Sequence, residues 1–269
     1  MTDFTFLNTR PAHQAEALTL LVKELGGLVL ACPTMQIHWL TPSQNQLDYI
    51  QNFDKLIFTS ANAVQGWLKA EQQLALNQAN FTGKFYAIGK ATKVKGEELG
   101  LQIETLSQTQ FDSEHLLAHN QMQAVNGEKI ALIKGEGGRQ LIEQTLSERG
   151  AEVEEVNVYR RSQVPFCKKE WQHFIESPSP ILLISSLESW QNLNNGLQGL
   201  QGGNLPGLVN SDLVNQLQKV FNKLAGLVVM SDRIAIDIKK SGCLTPIQVV
   251  KIQSNAGIVQ AIQDLLEHQ

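Results

Sequence analysis

Short apolar runs alternate along the chain with longer stretches of helical periodicity. In "AEALTLLVKELG" and "RQLIEQTLSERG", apolar residues recur at the three- and four-residue spacing of a helix. Regular alternation of strands and helices is typical of parallel sheets in an α/β protein. The predicted strands are "TFLNT", "LVLAC", "KLIFT", "KFYAI", "LQIETL", "KIALI", "VEEVNVY", "ILLIS", "LVVM" and "IQVVKI".

The order of these elements repeats between the two halves of the chain. "TFLNTRPAHQAEALTLLVKELGGLVLA" aligns with "IALIKGEGGRQLIEQTLSERGAEVEEV". Two later units follow in the same order: "LIFTSANAVQGWL" aligns with "LLISSLESWQNL", and "YAIGKATKVKGEELG" with "VVMSDRIAIDIKKSG". We interpret the match as a duplication, with the generic likeness of two βαβ arrays as the alternative. The second half has extra residues, for which the Gly- and Asn-rich segment 194–210 is the candidate. That segment is either a mobile loop or a helix end followed by a surface loop.

Composition limits the classes of partner. The 269 residues are 42% hydrophobic and carry a formal charge of −4, which allows one large or two ordinary globular domains. An acidic balance argues against general nucleic-acid binding, although a few cations can still gather around an acidic small molecule. The start of the chain lacks the regions of a signal peptide, and no apolar run reaches membrane-spanning length. We therefore expect a cytoplasmic protein without a membrane partner.

The cysteine pattern does not predict a disulfide framework. Cys32, Cys167 and Cys243 are far apart, odd in number and without CxxC spacing. This pattern predicts neither a disulfide framework nor a zinc site, and each cysteine is expected to be a small buried hydrophobic residue.

The residues that follow the strands are the candidates for binding, because open parallel sheets bind ligands beyond the carboxyl ends of their strands. Here these positions combine hydroxyls, glycines and cations that open helices. A helix N-terminus stabilises a nearby carboxylate by about 0.3–1 kcal/mol. Helix capping explains any one of these loops, but together on one edge they favour a shared site for a polyanion. The candidates are Arg10, Thr59, Ser60, Ala61, Asn62, Gly89, Thr92, Lys134, Gly135, Arg139, Ser185, Ser186, Ser231 and Arg233.

The glycine-rich turn "KGEGGRQ", residues 134–140, raises the question of nucleotide binding. It lacks the Lys-Ser/Thr pair of a Walker loop, and Leu141 stands where a dinucleotide fingerprint needs its third glycine. A GxSxG elbow, which would support a hydrolase at the two serines of "LLISSLES", is also missing. The turn therefore indicates an anion-facing helix start, with glycines that shape the backbone.

Metal and acid–base signatures are weak. His115 and His119 have i, i+4 spacing but no HExxH motif, so an exposed helix face is the expected arrangement. The acidic residues do not form a recognisable catalytic pair. An enzyme with so few acid–base residues would work mainly by holding its substrate in a reactive conformation. The acidic residues without such a catalytic partner are Asp48, Asp54, Glu136 and Asp232.

A set of motifs carries a family resemblance. "IFTSANAV", "AIGKAT", "LIKGEGGRQLIEQTLSERGAEVEEVNVYRR", "LLISSLES" and "VVMSDRIA", in this order, resemble uroporphyrinogen-III synthases over nearly the whole chain. The resemblance implies two Rossmann-like or flavodoxin-like parallel-sheet domains joined by a two-stranded linker, with the active site in the cleft between them. The domains would be about 1–37 with 164–269, and 40–160, with linkers at about 35–40 and 159–164. The first βαβ unit of each repeat would then lie on the sheet of the other repeat.

The resemblance also implies a reaction. These enzymes convert hydroxymethylbilane into uroporphyrinogen III by loss of water and inversion of ring D, by way of a proposed spiro intermediate and without metal or organic cofactor. A monomer is implied, with a possible transient contact to the preceding enzyme of the pathway. Tyr159 in "NVYRR" matches the family tyrosine and would assist the leaving hydroxyl, unless it is a core or hinge residue. The hydroxyl-bearing candidates would bind substrate carboxylates, and the nearest cations are Arg10, Lys134, Arg139 and Arg233.

Two other classes of function stay open from the residues alone. One is a two-domain binding protein for an acidic ligand without catalysis. The other is a nucleotide-sugar transferase with two facing domains, although its acid–base and ribose-binding signatures are not evident in the chain.

Overall fold

The computed structural model describes residues 3–74, 81–106, 113–138, 140–200 and 221–267. The chain divides into two compact units, Met1–Gln36 with Ser162–Gln269 as unit 1 and Ile37–Arg161 as unit 2. Arg139 and residues 201–210 of the Gly- and Asn-rich segment lie outside the described residues. The remainder of that segment, up to Leu200, is helical.

Unit 1 contains a five-stranded parallel sheet. Its strands are β1 (Thr5–Asn8), β2 (Leu28–Ala31), β9 (Pro180–Ile184), β10 (Gly226–Val229) and β11 (Ile247–Val249). They are arranged in the order β11-β10-β9-β1-β2. Its helices are α1 (Ala12–Glu24), α8 (Lys168–Glu176), α9 (Leu187–Leu200), α10 (Asp232–Lys240) and α11 (Asn255–Glu267).

Both faces of this sheet are covered by helices. Leu7 of β1 belongs to a core cluster with Trp171 of α8 and Trp190 of α9. The preceding residue, Phe6, belongs to a second cluster with residues of α1 and α11, such as Leu18. Successive side chains of a strand point to opposite faces, so a strand buried on both sides is apolar over most of its length. This explains why β9 and β10 appear in the sequence as continuous apolar runs, whereas β1 also buries the polar Thr5 and Asn8 at its two ends.

Unit 2 contains the second sheet. Its strands are β3 (Met35–Trp39), β4 (Lys55–Phe58), β5 (Lys84–Ala87), β6 (Ile103–Thr105), β7 (Lys129–Gly135) and β8 (Glu152–Gln163), in the order β3-β8-β7-β4-β5-β6. The strands from β8 to β6 are parallel. The helices are α2 (Gln44–Ile50), α3 (Ala61–Gln73), α4 (Lys90–Glu98), α5 (Ser113–Ala118), α6 (Asn120–Gln123) and α7 (Leu141–Glu148).

The two sheets share one topology. Unit 1 has the flavodoxin-like order 2-1-3-4-5, and unit 2 has the same order when β7 and β8 are counted as its first two strands. The unit β1-α1-β2 and its repeat counterpart β7-α7-β8 therefore each lie beside three strands from the other half of the chain. All ten strands predicted from apolar runs are present. The eleventh, β3, was not predicted from the hydrophobic pattern and lies next to β8.

The cysteine prediction is wrong for two of the three residues. Cys32 follows β2, Cys167 immediately precedes α8, and the two form a disulfide with their Cα atoms 5.4 Å apart. Spacing in the sequence could not show this, since 135 residues separate the pair and only the fold brings them together. Cys243 is a buried free thiol, as expected.

Candidate active site

The strand order fixes where a ligand is expected in each unit. In an open parallel sheet the crevice lies at the carboxyl edge, between the two strands from which the chain winds in opposite directions. In unit 1 these strands are β1 and β9, and in unit 2 they are β7 and β4. Arg10 and the pair Ser185–Ser186 follow the first two strands, while Gly135 ends β7 and Thr59 and Ser60 follow β4.

Ser60 is fixed as the N-cap of α3. Its backbone is extended, with φ −163° and ψ 164°, and its Oγ accepts a hydrogen bond of 3.1 Å from the Ala63 backbone N–H. Capping of this kind satisfies one of the free donors of the first turn. The neighbouring Thr59 is tied to β7, because its N–H and its hydroxyl both reach the carbonyl of Ile133, at 3.1 and 3.3 Å.

Tyr159 is brought to this edge by a β-bulge in β8. Lys134 pairs with Asn157, but the next residue of β7, Gly135, pairs with Tyr159, so Val158 is the extra residue. A bulge breaks the alternation of side chains and re-aims them. Consecutive residues Val158 and Tyr159 consequently belong to the same core cluster.

The phenol of Tyr159 is held on several sides. Its side chain is only 2% exposed, and its Oη lies 3.1 Å from the Oγ of Ser60. The ring lies directly against Gly135, where a Cβ atom would be 2.5 Å from the ring carbon Cζ. Trp39 makes an edge contact with a centroid distance of 6.5 Å, and the Arg161 guanidinium carbon is 5.8 Å from the ring centre. The structure thus assembles Ser60, Gly135 and Tyr159 into one constellation, which we call the tyrosine pocket.

The glycine-rich turn makes a tight backbone path and is not a nucleotide fingerprint. Gly137 and Gly138 have φ values of 73° and 92°, a region that side-chain-bearing residues rarely adopt. Lys134 was expected to follow the strand but is the next-to-last residue of β7. It is 8% exposed, and its Nζ lies 2.5 Å from a carboxylate oxygen of Glu155. Its charge is therefore already partnered, and a substrate carboxylate would have to share it.

The loop after β5 adds to the same edge of unit 2. Gly89 is the N-cap of α4 and supplies no side-chain cap. Thr92 is 6% exposed. Ala61 and Asn62, at the start of α3, are partly buried.

In unit 1, Arg10 is held in place by hydrogen bonds to neighbouring side chains. Its guanidinium donates to Asn255 Oδ1 at 2.7 Å and to Gln14 Oε1 at 3.3 Å, and its backbone N–H donates to Asn8 Oδ1. Burial lowers the pKa of the Arg10 guanidinium from its ordinary value. Because that ordinary value is far above neutrality, Arg10 still supplies a positive charge at the end of β1.

A buried network of hydroxyls, missed at the level of sequence, underlies this edge. Thr34 donates to Ser189 Oγ at 3.1 Å, Ser189 donates to Thr9 Oγ1 at 3.2 Å, and Thr9 donates to the Leu183 carbonyl at 2.6 Å. The network ties together the ends of β1, β2 and β9 and the start of α9. Thr9 and its neighbour Asn8 directly precede Arg10 in "LNTRP". The rule that ligands bind beyond the carboxyl ends of parallel strands could therefore have identified them as site residues.

The remaining candidates of unit 1 begin helices. Ser186 Oγ accepts from the Ser189 N–H at 3.0 Å and thereby caps α9. Ser231 occupies the N-cap of α10 without a side-chain cap, and Arg233 is exposed in the first turn of that helix. Ser185, which directly follows β9, is partly buried.

The histidine pair does not share a helix face. His115 belongs to α5, whereas His119 is the N-cap of α6 and accepts from the Gln121 N–H through Nδ1. Among residues 3–74, 81–106, 113–138, 140–200 and 221–267, no group of three His, Cys, Asp or Glu side chains is placed to hold a metal ion. None of the helices described in these ranges is long and apolar enough to cross a membrane.

Comparison with known proteins agrees with this architecture. A family profile described as uroporphyrinogen-III synthase HemD matches residues 16–210. The uroporphyrinogen-III synthase of Proteus mirabilis is 30% identical over 171 residues, which cover 62% of this chain and 85% of that protein. That of Synechococcus elongatus is 32% identical over 171 residues, covering 60% of this chain and 63% of that protein.

A solved structure supports the fold. The chain is similar to a mutant uroporphyrinogen III synthase from Thermus thermophilus, with a TM-score of 0.61, 17% identity and full coverage of both chains. Identity at this level supports the fold alone, while the profile match covers well over half of the chain. The chain belongs to the uroporphyrinogen-III synthase family of cyclising lyases.

Proposed function

We propose that this chain cyclises hydroxymethylbilane to uroporphyrinogen III, with loss of water and inversion of ring D, and that the tyrosine pocket assists loss of the hydroxyl. The observation that carries the proposal is the contact of 3.1 Å between Tyr159 Oη and Ser60 Oγ, at the crevice edge of a parallel sheet. A hydroxyl group leaves as water when it receives a proton, and a phenol can donate one through a hydrogen bond. Gly135 leaves room for the ring and sets its position.

Substrate binding is assigned to the loops at both carboxyl edges. Helix starts at Gly89 and Ser231 lack a side-chain cap, so their free N–H groups are available to carboxylates. Arg10 adds a fixed positive charge in unit 1. The proposed binding residues are Arg10, Thr59, Ser60, Ala61, Asn62, Gly89, Thr92, Lys134, Gly135, Arg139, Ser185, Ser186, Ser231 and Arg233.

The main task of the protein in this reaction is to control the conformation of its substrate. The substrate also cyclises unaided to the uninverted type I isomer, so the protein must control its conformation while the hydroxyl leaves. Many weak carboxylate contacts suit that task, since positioning alone removes a large part of a barrier. We further propose a cytoplasmic monomer that receives its unstable substrate through transient contact with the preceding enzyme. Light scattering over a range of concentrations tests the monomer, and a dimer mass at low micromolar protein would contradict it.

The decisive assay uses freshly prepared hydroxymethylbilane and separates the type I and type III products. The proposal predicts type III as the main product and consumption well above the spontaneous rate. Type I alone at the spontaneous rate would show that the chain binds an acidic ligand without catalysing ring closure.

A further inference from the structure

The Ser60 hydroxyl joins a helix N-terminus to the phenol of Tyr159. Its oxygen accepts the Ala63 N–H of the first turn of α3 at 3.1 Å, and the same oxygen lies 3.1 Å from Tyr159 Oη. All three residues lie in unit 2, and Tyr159 is 2% exposed. The path therefore runs through protein groups from the end of a helix to the proposed acid.

Either oxygen can donate in the contact between Ser60 and Tyr159, and the bond from Ala63 bears on which one does. A hydroxyl that accepts a hydrogen bond is polarised and becomes a better donor, because hydrogen bonds in a chain strengthen one another. Because Ser60 Oγ already accepts the Ala63 N–H, an arrangement in which the Ser60 hydroxyl donates to Tyr159 Oη gives both the oxygen and the hydrogen of that hydroxyl a partner. In that arrangement the phenol hydrogen can bond to an external acceptor.

We propose that Ser60 is a positioning residue that donates to Tyr159 and so aims the phenol proton at the leaving hydroxyl of the substrate. As the proton moves from Tyr159 Oη to that hydroxyl oxygen, the C–O bond breaks and its electron pair leaves with the departing water. The substrate carbon becomes cationic, and negative charge develops on Oη. The Ser60 donor and the partial positive charge at the start of α3 stabilise this charge. The inference rests on the proposed function and changes the role of Ser60 from binding a carboxylate to supporting the acid.

The two roles of Ser60 predict different kinetics. A residue that binds a substrate carboxylate equally in ground and transition states affects KM, whereas one that stabilises charge formed only in the transition state affects kcat. The chain offers a matched control in Ser186, the repeat counterpart of Ser60. Ser186 caps α9 through the Ser189 N–H at 3.0 Å, and its hydroxyl has no phenol partner among the described residues.

The test compares Ser60→Ala, Ser60→Thr and Ser186→Ala in steady-state assays with hydroxymethylbilane. We expect Ser60→Ala to lower kcat by about tenfold to a hundredfold, the effect of losing a hydrogen bond to a developing charge, with little change in KM. Ser60→Thr retains the hydroxyl and should recover most of the kcat. Ser186→Ala loses an equivalent cap and should change KM in preference to kcat.

A spectroscopic readout makes the test independent of activity. The chain has three tyrosines, so protein labelled with 13C at tyrosine Cζ gives three resonances that single Tyr→Phe variants assign. The Tyr159 resonance should move in Ser60→Ala and stay in place in Ser186→Ala. A wild-type kcat in Ser60→Ala, or an unmoved Tyr159 resonance, would overturn the inference. A wild-type protein that forms no type III product would instead overturn the proposed function, while the resonance still reports the contact.

Discussion

Replacing Gly135 by alanine tests whether the tyrosine pocket has the geometry described. A Cβ atom at Gly135 would lie 2.5, 2.6 and 3.0 Å from three carbons of the Tyr159 ring. Carbon atoms in contact sit about 3.5–4.0 Å apart, so the ring must retreat by about 1 Å. Gly135 is not among the glycines with positive φ, so its backbone can accept alanine and the cost is the overlap itself. Overpacking of this size costs about 1–3 kcal/mol of stability.

The displaced ring should matter more for activity than for folding. A shift of about 1 Å is enough to lengthen the bond of 3.1 Å between Tyr159 and Ser60 beyond hydrogen-bonding distance. Misplacement by about 1 Å can cost a hundredfold in rate. We therefore expect Gly135→Ala to fold, to lose about 1–3 kcal/mol in urea denaturation, and to form type III product at least tenfold more slowly.

Gly127→Ala is the matched control for this prediction. Gly127 has a φ of 78° and open space where its Cβ would be, so alanine there is strained by its backbone and touches nothing. The strain costs about 1–2 kcal/mol, similar to the overlap at Gly135. The control should therefore be destabilised and keep the wild-type rate. Wild-type turnover in Gly135→Ala, or equal losses of turnover in both variants, would refute the geometry of the pocket.

Three further predictions concern stability. The free energy of unfolding should fall by about 2–4 kcal/mol when the Cys32–Cys167 disulfide is reduced or removed by Cys167→Ser. An unchanged melting temperature with and without reductant would contradict the pairing. Gly66→Ala should lower the urea midpoint, since its Cβ would lie 2.7 Å from the Val158 carbonyl oxygen, whereas an unchanged midpoint would show that α3 does not pack this closely on β8. Lys134→Met should lower the free energy of unfolding by about 1–2 kcal/mol, because it leaves the Glu155 carboxylate unpaired. The loss is kept this small because the Glu155 side chain is 32% exposed to water. If the pair is the cause, the double variant Lys134→Met with Glu155→Gln should recover the stability.

The regular elements could be predicted because burial on both faces leaves a simple pattern. The strands β4, β7 and β9 are almost wholly buried and therefore appear as continuous apolar runs. The strand β3 is only partly buried, and its sequence "MQIHW" mixes polar and apolar residues without such a run. The disulfide was beyond sequence reasoning, since it depends on the ends of two distant segments meeting in the folded sheet.

The candidate site could be predicted from the sequence only in part. The rule that ligands bind at strand ends identified Ser60 and Gly135, and the family resemblance identified Tyr159. Their contact could not be predicted, because regular alternation would put Val158 and Tyr159 on opposite faces, and only the bulge places both in one cluster. Lys134 was predicted to follow the strand, but it is the next-to-last residue of β7, and its ion pair with Glu155 depends on the register of β7 and β8.

The rate and the product ratio of Tyr159→Phe test the central claim most directly. The substitution keeps the ring that packs on Gly135 and removes the hydroxyl that contacts Ser60, so the fold and its melting temperature should change little. General acid catalysis contributes about a hundredfold or more, so conversion of hydroxymethylbilane should slow by about that factor. Spontaneous type I product should then compete with type III. A folded Tyr159→Phe protein that forms type III at the wild-type rate would exclude Tyr159 from the reaction.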